Sequence, residues 1–213
     1  MRTRAVGYGV VLALVIASIA FGLSVSASNG TRFATIVLQA ATLVAAVRTA
    51  EVHAGTRLAA LTAVLVVLAT SIVWVITGDI PAGPAAIVNG LLVAFAPVAI
   101  GRGLLRDLRE ERGVTLATLA GVLCVYLLAG MLFSFLYGVI DAVAADQLFK
   151  QLTDSTREDQ LYFSFVTLCT VGYGDFTPVG GFARGFAVSE MLIGQIYLVT
   201  VVSLIVTNLR PRR

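Results

Sequence analysis

Nine residues, Thr167-Leu168-Cys169-Thr170-Val171-Gly172-Tyr173-Gly174-Asp175, hold the most specific chemistry in this 213-residue sequence. The carbonyls of Thr170, Val171, Gly172 and Tyr173, with the Thr170 hydroxyl, form a row of oxygens. Stacked into rings by four chains around one axis, such oxygens replace the water shell of a dehydrated potassium ion. Pointing consecutive carbonyls the same way needs backbone angles that a Cβ resists, and Gly172 and Gly174 remove that penalty. Val171 and Tyr173 then point away from the axis, packing the turn against its own short helix. The apolar stretch 161–169 comes just before, and is itself preceded by Asp154, Ser155, Glu158 and Asp159. Ser155 or Asp154 suits a helix N-cap, and the acids suit the positive end of a helix. The expected helix, 157–169, is too short to span a membrane, so it dips in and returns. Irregular backbone at membrane depth is tolerated only where protein or a water-filled cavity covers it. The turn at 170–175 therefore implies a pore around itself.

The elements that must position this turn follow from composition. The chain is 58% hydrophobic and 13% charged, against roughly 25% charged in a soluble domain, which excludes an average soluble enzyme. Lipid is the natural solvent. A spanning helix takes about 20 apolar residues. Six candidates emerge: 6–27, 33–47, 58–77, 85–100 (broken by Pro97), 114–139 and 182–209, with the second and fourth the shortest. The expected fold class is an all-α membrane protein with six transmembrane helices and a re-entrant pore helix between the fifth and sixth. Residues 1–101 form a four-helix membrane domain, 102–113 an amphipathic cytoplasmic linker helix and 114–213 a pore domain. The first stretch is expected to be an uncleaved anchor, its alternative being a signal peptide cut after Val25-Ser26-Ala27.

With both termini inside, eleven of the fifteen Lys and Arg fall on the inner side and four, Arg32, Lys150, Arg157 and Arg184, on the outer side. This is the positive-inside pattern. Seven acids lie outside, most of them in the long segment before and through the turn. Cys124 and Cys169 read as small apolar residues rather than a disulfide framework. The single histidine, His53, argues against a histidine metal site, and Asn29-Gly30-Thr31 reads as a turn.

The segment 167–175 resembles the signature of the potassium channel superfamily. Tyr162-Phe163 stand where the family carries an aromatic pair in its pore helix, Asp175 follows the filter as in the family, and Gly194 falls at the place of the hinge glycine. The resemblance covers residues 114–209 and implies a six-transmembrane, voltage-gated-like prokaryotic channel. It implies K+ bound as cargo at Thr170, Val171, Gly172, Tyr173 and Gly174, no organic cofactor, and a homotetramer in the plasma membrane of a bacterium or archaeon. Two positions depart from the pattern. Cys169 replaces a common second Thr, and Val166 stands where some bacterial channels place a Glu that pairs with the aspartate behind the filter. Asp175 then needs another partner, and the Tyr162 hydroxyl is the expected one.

Glu190 is an ionisable group inside the last span, where such groups are costly and usually functional. It is expected to brace the inner helix against the pore helix, with a protonated sensor as the alternative. Gln195 suits a polar cavity lining. Leu198, Val202 and Val206 recur at helical spacing and serve either as a dewetting constriction or as packing. Voltage sensing needs arginines within a span, and 85–100 has none; Arg102, Arg106, Arg109 and Arg112 begin after it, on an amphipathic cuff. The usual voltage sensor is thus expected to be absent or degenerate. The chain stops soon after Leu209, so no soluble ligand domain is expected in it, and no nucleic-acid partner or enzymatic activity is indicated. The expected function is passive, selective potassium conduction. Two alternatives are a potassium uptake transporter subunit and a membrane sensor or scaffold built on a channel-like module.

Overall fold

A computed structural model of the chain describes residues 2–25, 28–50, 54–77, 82–109, 115–144 and 146–208. Among them the chain is all-helical, with seven helices: α1 (Arg2–Ser24), α2 (Asn29–Thr49), α3 (Ala54–Thr77), α4 (Ala82–Arg109), α5 (Leu116–Val143), α6 (Arg157–Leu168) and α7 (Gly180–Asn208). Three helix starts use one local device. The side chains of Ser28, Thr115 and Thr156 accept from the third residue of α2, α5 and α6, and those third residues, Thr31, Thr118 and Asp159, reach back to the cap backbone. Such reciprocal caps satisfy amide groups that the first turn leaves unpaired. Two expectations are corrected here. Asn29-Gly30-Thr31 opens a helix rather than a turn. The cap of α6 is Thr156 rather than Ser155 or Asp154.

Among the described residues four helices are long and apolar enough to cross a membrane: α1 over Gly7–Ser24, α2 over Asn29–Thr49, α5 over Thr118–Val143 and α7 over Gly180–Val201. In α3 and α4 the described apolar stretches are Ala60–Trp74 and Ile87–Gly101. The second helix, expected to be weak, is therefore a full-length candidate. The fourth helix also differs from expectation. It runs through Pro97 without a break to Arg109, so residues 102–109 continue α4 instead of starting a separate linker helix. Residues 110–113 lie outside the described part, as do His53 and Asp79.

α5 is the central helix. It packs most extensively on α4, then on α1 and α6, and also touches α7. One core joins α1–α6 around Tyr8, Leu43, Leu92, Ile100, Cys124, Leu128 and Phe135. A second surrounds Tyr137, Leu148, Phe149 and Phe163 between α5, α6 and the start of α7. The first four helices thus pack against α5 and α6 of their own chain, through α4 and α1. Outward faces of α3 and α7 stay apolar, with Leu65, Ile76, Leu192 and Ile196 exposed, as a lipid or protein neighbour requires.

Within the first core, both side-chain polar atoms of Gln39 are buried without a hydrogen-bond partner. A buried unpaired amide costs about 1–3 kcal/mol. Gln39→Leu, close in volume, is expected to raise the melting temperature of the detergent-solubilised protein; a lower one would show that the amide is engaged.

Candidate functional site

The pore-helix candidate α6 buries Gln160, Leu161, Phe163, Ser164, Thr167 and Leu168, a stripe at helical spacing facing α5 and α7. Its C-cap is Cys169, whose N–H donates to the Phe165 carbonyl at 3.0 Å. The next three N–H groups also turn back on the helix. Thr170 N–H donates to Thr167 O at 2.9 Å, and Val171 and Gly172 N–H both donate to Val166 O, at 2.9 and 3.3 Å. With the amides directed at the helix end, no hydrogen bond to the carbonyls of Thr170–Tyr173 occurs among the described residues. The support that Val166 gives is therefore made by its backbone carbonyl, which is why a missing acidic side chain there leaves the turn anchored.

The backbone alternates hand along the turn. Thr170, Gly172 and Gly174 have φ of 57°, 57° and 79°, while Val171 and Tyr173 between them do not enter the left-handed region. Alternation of this kind is how successive carbonyls come to share one direction. The need for glycine at Gly172 and Gly174 was legible in the sequence. The left-handed Thr170 was not, because a β-branched residue is among the least suited to positive φ. It takes up strain of the sort that persists only where surrounding structure fixes it.

Past the turn, Asp175 is held from two sides. Tyr162 donates its hydroxyl to Asp175 Oδ2 at 2.7 Å, and Phe176 N–H donates to Oδ1 at 3.0 Å. The carboxylate that accepts this bond pushes the Tyr162 phenol up to about 12, so the proton stays on the tyrosine at neutral pH. The returning strand is clamped to the loop after α5. Lys150 N–H donates to Thr177 O and Val179 N–H to Leu148 O, both at 2.9 Å, and Gln151 accepts from Thr177 N–H at the same distance. Aromatic rings fill the space beneath. Tyr137, Phe163, Phe149, Phe176 and Tyr162 form an unbroken series with successive centroids 4.8–5.8 Å apart. Edge-on and offset ring pairs of this kind favour fixed geometry.

Arg157 opens the N-terminal end of α6. Its guanidinium carbon sits 3.5 Å from the centre of the Phe135 ring and Nη2 donates to Ser134 Oγ at 3.2 Å. Burial pulls its affinity for the proton down to about 9, still above neutral pH. Nearby, Ser155 donates to Asp141 at 2.9 Å, so it fastens the loop to α5 rather than capping the helix.

α7 supplies the other wall. Glu190 is fully buried. Tyr137 of α5 donates to its Oε2 at 2.7 Å, and its Oε1 lies in hydrogen-bond contact with Ser164 of α6. Glu190 of α7 thus touches both α5 and α6, the contacts that the expected brace requires. Gly194, one turn further on, is also buried. A Cβ built there would strike the backbone carbonyl oxygen of Leu168 and lie 3.0 Å from Leu168 Cδ1. Here α7 rests directly on the last turn of α6. Leu168 O also accepts from Tyr126 of α5 at 3.2 Å, and Tyr126 stacks on Tyr197 of α7 at 5.6 Å. Tyr126 and Tyr197 were missed in the sequence, since tyrosines in apolar spans look like ordinary packing. Gln195 and Leu198 are exposed on the single chain. Val202 and Val206 belong to α7, and their side chains lie outside the described part.

No cluster of three or more His, Cys, Asp or Glu suited to a metal ion occurs among the described residues. The oxygen donors of the site are those of the turn itself.

Residues 121–210 match a protein family described as "Ion channel". Shorter stretches resemble curated proteins. The two pore potassium channel c of Oryza sativa subsp. japonica is 58% identical over 36 residues, covering 17% of this chain and 8% of that protein. Protein LctB of Geobacillus stearothermophilus is 49% identical over 49 residues, covering 23% of this chain and 36% of its own length. Protein LctB of Bacillus caldotenax is 47% identical over a stretch of equal length. The chain thus spans 8 to 36% of the length of these relatives. No solved structure matches it significantly. The matched segment holds the whole of the geometry above and is similar to the ion channel family; with the long apolar helices it makes this an integral membrane protein that carries an ion-channel-like segment.

Proposed function

We propose that the chain conducts K+ passively and selectively as a homotetramer, with the backbone of Thr170, Val171, Gly172, Tyr173 and Gly174 as the selectivity filter. The observation that carries this reading is the alternating backbone of the turn, with its amides spent on α6 and its carbonyls unbonded. A row of unpaired carbonyls is costly unless another oxygen-seeking partner meets it. A dehydrated K+ is such a partner, and rings of carbonyls from four chains supply the coordination one chain lacks. Tyr173 is 71% and Val171 50% exposed rather than packed on α6 as expected, which leaves both side chains to meet neighbouring copies in the proposed tetramer. The relatives' printed names include a potassium channel.

In this reading six helices cross the bilayer, α3 and α4 with the help of polar ends, and both termini are cytoplasmic. Helices α1–α4 form a sensor-like domain without gating arginines in the apolar part of α4. Gln195 lines the cavity, and Leu198, Val202 and Val206 line the inner gate. The outer acids enrich cations at the mouth, an effect that salt screens beyond about 10 Å.

The test is ion flux from liposomes containing purified protein. Rapid, barium-blocked flux of K+ over Na+ is expected. Slow, saturable flux would instead mark a transporter subunit, and no flux a sensor or scaffold. Tyr162→Phe removes the donor to Asp175 and is expected to alter the rate of filter inactivation several-fold in single-channel recordings. An unchanged time course would remove Tyr162 from that role.

A further inference from the structure

We propose that Glu190 is a neutral carboxylic acid at physiological pH, and that its proton completes a hydrogen-bond relay holding the inner helix α7 and pore helix α6 to α5. Counting protons leads to this assignment. The Ser164 hydroxyl has a single hydrogen but two oxygen neighbours, the Gly130 carbonyl at 2.7 Å and Glu190 Oε1. A carbonyl oxygen only accepts, so the Gly130 contact is a hydrogen bond only if Ser164 gives it that hydrogen. The Ser164–Glu190 contact then needs a hydrogen from Glu190. On its other oxygen Glu190 accepts from Tyr137. With Glu190 protonated, each of the three contacts has one hydrogen: Tyr137 to Glu190, Glu190 to Ser164, Ser164 to the backbone of α5. With Glu190 ionised, three contacts share two hydrogens, and two oxygens face each other with none between them.

The surroundings agree. Glu190, Ser164 and Tyr137 are all fully buried, and a buried ionised carboxylate is costly unless paired. Among the described residues no cation pairs with it. α5 presents Tyr137 and, further along, Tyr126. The charged residues of α6, namely Arg157, Glu158 and Asp159, sit in its first turn, and Arg157 is engaged by Ser134 and Phe135. On α7, Arg184 donates to the Pro178 carbonyl at 3.1 Å. Glu190 therefore acts as a positioning residue. It touches no filter oxygen, but it fixes Ser164, one turn and a half before the filter, against two helices at once. The protonation state itself does not depend on conduction; only the consequence for flux rests on the channel reading.

Infrared difference spectroscopy of the full-length protein in lipid at neutral pH tests this. The parent is expected to show the C=O stretch of a hydrogen-bonded carboxylic acid, lost in Glu190→Gln. Ser164→Ala is expected to shift that band rather than remove it. An amide reproduces the relay, its NH2 donating to Ser164 and its oxygen accepting from Tyr137. Glu190→Gln should therefore keep the parent's thermal stability, while Glu190→Ala lowers it. Absence of the acid band from both parent and Ser164→Ala overturns the proposal even if Glu190→Gln fails to fold. So does a Gln variant as unstable as the Ala variant.

Discussion

Gly172→Ala should abolish potassium flux. Gly172 holds φ at 57°, and an L-residue in the left-handed region costs about 1–2 kcal/mol. In the proposed tetramer four copies bring the penalty to about 4–8 kcal/mol, since a filter would have to be ordered in every chain for its rings to close. Relaxing any one copy turns its carbonyls out of line. Space is not the obstacle, because a Cβ at this position meets nothing within 4 Å on the single chain. The loss is therefore expected in flux and in barium block, with helix content and membrane insertion unchanged. Parent-like flux from the variant would mean that the ion path does not follow this backbone.

Gly194→Ala should have the second largest effect, for a different reason. The added methyl overlaps the backbone carbonyl oxygen of Leu168, not the end of a flexible side chain. Something rigid has to move, and overpacking of this kind costs about 1–3 kcal/mol. The element that moves is the last turn of α6, whose next residues are Cys169 and Thr170. Flux is expected to fall at least about tenfold, the equivalent of roughly 1.4 kcal/mol, and K+ over Na+ selectivity to decline with it. The family resemblance assigns this glycine to a hinge, and the two roles separate in one measurement. Loss of a hinge lowers the open fraction and leaves selectivity intact, whereas displacement of the α6 end degrades selectivity itself. A fully conducting, fully selective Gly194→Ala would remove both roles.

Much of this site was legible in the sequence because its determinants are local. The motif itself named the residues of the turn, since unusual backbone angles announce themselves as glycines in a short span. The Tyr162–Asp175 hydrogen bond was also legible. The two residues stand 13 apart, on a helix and the segment that returns from it, so their meeting follows once the helix is known to dip and return. The helix caps were read less well. Ser155, Asp154 and Thr156 are all competent caps, and the choice fell to Thr156 because Asp159 stands three residues on to answer it. Ser155 was then free to bind Asp141.

Span lengths were harder still. Apolar runs alone do not show that α4 continues past Ile100 to Arg109. An internal proline costs one bond of the ladder and a clash with the carbonyl four residues before it, yet α4 runs on past Pro97.

What the sequence determined by itself was the solvent, the helical architecture and the turn at 170–175. Each is set by composition or by covalent geometry within a few residues. What only the tertiary structure decided was which helices meet. It packs α1–α4 on the α5 and α6 of their own chain. It turns Gly194 into a contact surface for Leu168, and it joins Glu190 to Ser164 and Tyr137 across separations of 26 and 53 residues. Those outcomes depend on shape and proton count among groups distant in the chain. An apolar stretch records that a helix is buried, but not the neighbour against which it lies.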